Sequence, residues 1–370
     1  MKRERPIRIL QYIGSLNIGG SQTMIMNYYR NIDRTKIQFD FVVDRKNDIF
    51  FVKEIESMGG KVYFLDYFKG YNIVSFKKQW NRLFKEHPEY KIIHCHVRSV
   101  ASIVLKIAKK HGLKTLCHSH STSNGKGIKS LIKWFLQKKI PKYADNLLAC
   151  SEESAIWLYG KENVLRDKCI IINNAIDTKK FLYNDNIRSK VRKNLEVENK
   201  KVIIQIGRFV EVKNYIFTLE MFKELLKENE KYYLLLVGNG PLKETIIDKI
   251  KSLQLEKNVH ILENRNDVNE LLIASDIYVM PSLYEGLPLS LVEAQAASLP
   301  CIISKNISGG KIIKELIYDL DLDGNFEEWI QKIKELLNVE RKIRLNEIIN
   351  NGFDIEKNVD VLEELYLKLI

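Results

Sequence analysis

Residues 202–214 read VIIQIGRFVEVKN, and their reading decides the fold. A short, mostly β-branched run ends at Gly207, cations follow at Arg208 and Lys213, and a helical pattern begins beside Lys213. An apolar run closed by glycine and followed by helical periodicity is half of a βαβ unit. Toward the C-terminus the pattern repeats in YYLLLVGNG (232–240), NVHILE (258–263), DIYVMPS (276–282) and PCIIS (300–304). Toward the N-terminus it repeats in IRILQYIG (7–14), FDFVVD (39–44), KVYFLD (61–66) and IIHCH (92–96), with helical stretches such as SQTMIMNYYRNI (21–32) and ASIVLKIAKK (101–110) between them. NLLACS (146–151) and CIIINNA (169–175) close that first series, and a charge-rich segment, DTKKFLYNDNIRSKVRKNLEVENKK (177–201), separates the two. The expected fold is therefore α/β, with two doubly wound Rossmann-like domains facing across a cleft. The expected boundaries are 1–180, 181–352 and a C-terminal helix at 353–370.

The chain has 370 residues, 45% of them hydrophobic, which is material for about two cores. The N-terminal MKRERPIRILQYIG turns polar too soon for a signal peptide or a membrane span, so the cytoplasm is the expected location. Five scattered cysteines without a C-x-x-C read as reduced core thiols. The net charge of +12 favours polyanionic partners or a solvated basic surface. No zinc finger or RNP box accompanies it, so nucleic acid is not the expected partner.

Chemistry-bearing residues gather where strands end. Arg208 and Lys213 after Gly207 can clamp a diphosphate or simply face solvent beside a turn glycine. LLLVGNGP supplies a Gly-x-Gly turn, with Pro241 suited to a first helical position. In SLYEGLPLSLVEAQAASLP (282–300), Glu285 precedes a helix that Pro288 starts, and Glu293 lies on it. The Gly286 and Leu287 amides and the first helical turn make a positive cup. Flanking carboxylates then suit sugar hydroxyls, a glycosidase pair, or plain helix-dipole compensation. In LNIGGSQT, Gly19 and Gly20 let backbone approach a phosphate or acceptor, or form a plain turn, and Ser21 suits an N-cap. His94, His96, His118 and His120 form two pairs, each sharing a strand face, which can chelate a metal, although no carboxylate or thiolate completes a set. A metal-dependent hydrolase using these four residues, or a basic nucleic-acid-binding protein, is the alternative reading.

With these motifs in order, the sequence resembles the retaining, nucleotide-sugar-dependent glycosyltransferases of the GT-B fold, in the branch found in bacterial capsule and exopolysaccharide clusters. EGLPLSLVE matches the E-x7-E motif, IGRFVEVKN the G-R-x4-K motif, LLLVGNGP the next strand and turn, and NNAID the interdomain segment. The resemblance implies that Arg208 and Lys213 hold the diphosphate, Glu285 the donor sugar's hydroxyls and Glu293 the ribose, while His120 faces the reacting sugar. It extends the donor site to Gly19, Gly20, Gly207, Asn239, Gly286, Leu287, Pro288 and Leu289.

The expected activity is transfer of a hexose from a nucleotide diphosphate sugar, with a UDP-sugar foremost, to a hydroxyl of a glycan or polyprenyl-diphosphate-linked acceptor, with retention. No cofactor and no metal are expected. The stretch GIKSLIKWFLQKKIPK (127–142) carries an apolar stripe of Ile128, Leu131, Ile132, Phe135 and Leu136, flanked by Lys129, Lys133 and Lys138. It either packs on the sheet or rests, with Trp134 at its border, on an anionic cytoplasmic leaflet.

Overall fold

The computed structural model describes residues 6–17, 19–46, 49–120, 128–165, 168–323, 326–337 and 339–370, with the side chains of 128–132 excepted. Two compact units form, one from Met1–Ala175 with Ile355–Ile370 and one from Ile176–Asp354.

The first unit is built on β1 (Ile7–Gly14), β2 (Ile37–Val43), β3 (Val62–Phe64), β4 (Ile92–Cys95), β5 (Lys114–Ser119), β6 (Asn146–Ala149) and β7 (Cys169–Ile171). They hydrogen-bond in the order β3-β2-β1-β4-β5-β6-β7, all parallel. Strand order reverses between β1 and β4, where Gln11 is the register partner of His94. Alternation along β1 sends Ile9 and Ile13 to one core and Leu10 and Tyr12 to the other, so both sheet faces are covered. The C-terminal helix Ile355–Lys368 belongs to this unit, with Ile355, Val359, Leu362 and Tyr366 in the core beside helix Gly20–Asn31.

The second unit carries β8 (Lys201–Ile206), β9 (Tyr232–Val237), β10 (Val259–Leu262), β11 (Ile277–Met280), β12 (Cys301–Ser304) and β13 (Ile317–Leu320). Their order, β10-β9-β8-β11-β12-β13, is again parallel and reverses between β8 and β11. Such reversals leave a crevice at the carboxyl ends of the two central strands. Strand β13, at the sheet edge, is not among the apolar runs read from the sequence, because its residues are only partly buried.

Three local expectations are corrected. Ser21 is not a cap: the extended Gly19 holds that position, and the Ser21 hydroxyl donates to Gln22 inside the helix. Pro241 precedes helix Lys243–Ser252, whose N-cap is Leu242. Pro288 is the N-cap of helix Leu289–Ala296 rather than its first residue, with ψ of 114°. All five cysteines are free thiols, and four of them are buried.

In helix Ile128–Gln137 the side chains of Ile128, Lys129, Leu131 and Ile132 lie outside the described residues. Phe135 is not packed on the sheet: it is 65% exposed, beside Trp134 at 43%, while Gln137 is buried. Among the described residues no helix is long and apolar enough to cross a membrane.

Candidate active site

In the second unit the site begins at the end of β8. A Cβ on Gly207 would meet the Lys213 side chain at 2.9 Å, so glycine here lets the lysine stem lie across the turn. Lys213 closes the 3-10 turn Glu211–Lys213, and its carbonyl accepts from Gln205 Nε2 at 2.7 Å. Gln205 is buried near the carboxyl end of β8, and its Oε1 accepts from the Thr218 hydroxyl at 2.7 Å. The Tyr215 hydroxyl donates to the Gly207 carbonyl at 2.7 Å. Strand, turn and following helix are therefore tied together beneath Lys213.

The second Gly-x-Gly turn has a structural task. A Cβ on Gly238 would stand 1.9 Å from the Gly207 carbonyl oxygen, and one on Gly240 would stand 2.7 Å from the Phe209 backbone nitrogen. The loops after β8 and β9 interlock backbone to backbone, with Phe209 N–H donating to Asn239 O at 3.0 Å. Arg208 projects from this interlock, exposed, with no side-chain partner among the described residues, and Asn239 is exposed beside it in the chain's other loop.

Across the strand reversal, the segment after β11 brings Glu285 back. Leu283 N–H donates to Val212 O at 2.8 Å, Glu285 bridges to Ile307, and Ser308 N–H donates to Glu285 O at 3.0 Å. The result is a Lys213 Nζ to Glu285 Oε1 ion pair of 2.6 Å, both side chains largely shielded. Gly286, Leu287, Pro288 and Leu289 then lead into helix Leu289–Ala296, and Gly286 is exposed. Glu293, on that helix, is partly buried and has no hydrogen-bond partner among the described residues. Burial pushes its carboxyl up to about 7. A shielded carboxylate without a protein partner among the described residues has its acceptor oxygens free for a ligand's hydroxyls.

The first unit gathers the four histidines around the ends of β4 and β5. His96 Nδ1 lies 2.8 Å from His120 Nε2, and His96 Nε2 lies 2.9 Å from Gln11 Oε1. Gln11 Nε2 donates to the Tyr366 hydroxyl at 3.1 Å, which lies 2.6 Å from His94 Nδ1. Burial, reinforced among His94, His96 and His120 by neighbouring rings, holds all four below the ordinary histidine value, His118 down to about 3. All four are neutral near pH 7. Ring nitrogens of His94, His96 and His118 lie within 4.8 Å of one another. Zinc needs nitrogens about 2.0–2.1 Å from the metal, so a site here would require the rings to draw together and His96 to give up a bond it already makes. Gly20, in the same unit, is exposed, and a Cβ on it would meet no protein atom within 4 Å. Gly19 is extended, with only the Gln22 side chain close to a Cβ there.

Sequence reasoning missed Gln11, Gln205, Thr218 and Tyr366. A signal existed for the two glutamines: each is an amide inside an apolar run, in IRILQYIG and VIIQIG, on a strand that flanks its sheet's order reversal.

Residues 186–354 match the family described as glycosyl transferases group 1, and residues 18–180 match glycosyltransferase family 4. The putative glycosyltransferase EpsF of Bacillus subtilis (strain 168) is 31% identical over 97% of this chain and 96% of its own length. An Escherichia coli UDP-Gal:alpha-D-GlcNAc-diphosphoundecaprenol alpha-1,3-galactosyltransferase is 28% identical over 76% of each chain. The solved structure of Anabaena HepE in complex with UDP-glucose superposes with a TM-score of 0.75 at 18% identity, covering 98% of this chain and 99% of that one. The two parallel α/β sheets and this likeness thus define a pair of Rossmann-like domains of the GT-B fold. The chain belongs to the group 1 glycosyltransferases, and it is a glycosyltransferase.

Proposed function

We propose that this enzyme transfers a hexose, with retention, from a UDP-sugar to a hydroxyl of a polyprenyl-diphosphate-linked glycan during surface polysaccharide assembly. The observation that carries the reading is the second unit's cluster: exposed Arg208, the Lys213–Glu285 pair and unpartnered Glu293 around one strand reversal. Arg208 and Lys213 neutralise the diphosphate as it leaves, helped by amides at Gly286 and Leu287, so no divalent ion is needed there. The lysine keeps hydrogen atoms for phosphate oxygens while its contact with Glu285 orients the carboxylate toward sugar hydroxyls. Glu293 accepts from the ribose, and Asn239, Pro288 and Leu289 line the donor's path. In the first unit, Gly19 and Gly20 let the ligand approach backbone, and His120 serves the transferred sugar. The names of the E. coli relative and of the HepE complex support the UDP-sugar donor, and the former supports the lipid-linked acceptor.

Exposed Trp134 and Phe135, with Lys138 Nζ 3.7 Å over the Trp134 ring, support peripheral contact with an anionic cytoplasmic leaflet. Flotation with anionic and neutral vesicles tests that contact. The activity is tested with a panel of nucleotide sugars and a polyprenyl-diphosphate-linked glycan in excess EDTA. One UDP-sugar should be consumed and the acceptor's mass should rise by one hexose, with the donor's anomeric configuration kept in the product. Transfer that needs a divalent ion, or an inverted product, would overturn the reading.

A further inference from the structure

With the Gln11 amide oriented as it stands, the buried polar chain in the first unit has one consistent set of hydrogen positions. Gln11 directs its amide nitrogen at the Tyr366 hydroxyl, so its amide oxygen faces His96 Nε2. An amide oxygen only accepts, so His96 carries its single proton on Nε2. His96 Nδ1 is then bare and must accept from His120 Nε2, which leaves His120 Nδ1 bare in turn. On the other branch the Tyr366 hydroxyl, having accepted from Gln11, gives its proton to His94 Nδ1. His120 Nδ1 and His94 Nε2 are buried and have no hydrogen-bond partner among the described residues, so each lacks the partner a buried nitrogen requires.

We propose that Tyr366 and Gln11 are positioning residues that, acting through His96, fix His120 as the Nε2–H tautomer and present its bare Nδ1 as an acceptor for a substrate hydroxyl. The inference rests on the reading that His120 serves the transferred sugar. The same chain with the Gln11 amide turned over would reverse every bond: His96 would donate from Nδ1, and His120 would become a donor at Nδ1. One amide orientation therefore selects between an acceptor and a donor at the site. Tyr366 couples that orientation to His94: with the amide nitrogen on the Tyr366 hydroxyl, the hydroxyl gives its own proton to His94 Nδ1, and this is the arrangement the structure holds. Gln11, His94 and Tyr366 are held too tightly for water to substitute, each being no more than 1% exposed. The C-terminal helix Ile355–Lys368 thus has a role in this unit beyond filling its core.

Histidine-selective ¹⁵N labelling and long-range ¹H–¹⁵N correlation of the full chain read the tautomers directly. In the wild type, His96 and His120 should each show a protonated Nε2 and a bare Nδ1. In Tyr366→Phe, which keeps the ring and its packing, the Nδ1–H form of His120 should appear, and kcat should fall about fivefold with donor KM little changed. Gln11→Met should mix the His96 and His120 tautomers in the same way. A protonated His120 Nδ1 in the wild type, or unchanged tautomers in both variants, would overturn the inference, as would stoichiometric zinc bound by the wild type. If His120→Ala transfers sugar at the wild-type rate while the tautomers respond as stated, the role of His120 toward the sugar fails and the positioning chain stands.

Discussion

Lys213 Nζ and Glu285 Oε1 lie 2.6 Å apart, joining the loop after β8 to the segment after β11 on either side of the strand reversal. Each is held from behind by backbone bonds, Lys213 O by Gln205 and Glu285 O by Ser308. The pair is therefore positioned before any ligand arrives, which is how charge stabilisation avoids reorganisation during reaction.

Replacing Arg208 or Lys213 by alanine should cost about 3 kcal/mol of transition-state stabilisation, roughly a hundredfold in kcat/KM, with the fold intact. Glu285→Gln should impair transfer while leaving nucleoside diphosphate affinity nearly unchanged. Steady-state kinetics with calorimetry checks both, and rates within a few-fold of wild type would contradict the assignment.

Glu293 gives a prediction with a sign in pH. Its ordinary value is 4.5 and its folded value about 7. Below 4.5 the carboxyl is protonated in both states, and as pH rises toward 7 only the unfolded chain ionises, so folding stability is lost over that window. Glu293→Gln removes this loss. Its stability relative to wild type should rise between pH 4.5 and 8, by at most about 3 kcal/mol given partial exposure. Its affinity for free nucleoside diphosphate should fall. Urea unfolding at the two pH values decides the first point, and a pH-independent gap would refute it.

The histidines predict the opposite slope. Their folded values lie below the ordinary 6.5, so the stability they contribute is present above about 6.5 and is lost as pH falls below it. His118 has neither ring nitrogen hydrogen-bonded among the described residues. His118→Leu should therefore stabilise the fold by about 1–3 kcal/mol at pH 7 and by more at pH 5. His120→Ala should abolish most transfer, and His118→Ala should be milder. Destabilisation by His118→Leu at both pH values would show that His118 has a partner.

Two glycines separate packing from ligand approach. Gly238→Ala places a Cβ 1.9 Å from the Gly207 carbonyl and should destabilise the second unit by at least about 2 kcal/mol. Gly20→Ala meets no protein atom within 4 Å, so its melting temperature should match wild type while transfer falls about tenfold if a ligand approaches that backbone. Equal activity in Gly20→Ala would remove Gly20 from the site.

The sequence by itself determined which segments are strands and helices and where the charged residues enter from strand ends, because apolar periodicity and glycine act within a few residues of themselves. IRILQYIG, VIIQIGR and DIYVMPS are legible alone for that reason, and so are Arg208 and Lys213 as neighbours of a strand end. Edge strand β13, half-buried, carries too little apolar periodicity to be seen, and the capping roles of Gly19, Leu242 and Pro288 depend on backbone angles that composition does not specify. Only the tertiary structure decided that Lys213 meets Glu285, that Gly238 exists to admit the Gly207 carbonyl, and that Gln11 bonds Tyr366, which is 355 positions away. Those contacts follow from strand order and from the packing of a C-terminal helix into the first unit's core. Contacts between distant residues are chosen by burial summed over a whole unit, and no local pattern encodes that sum.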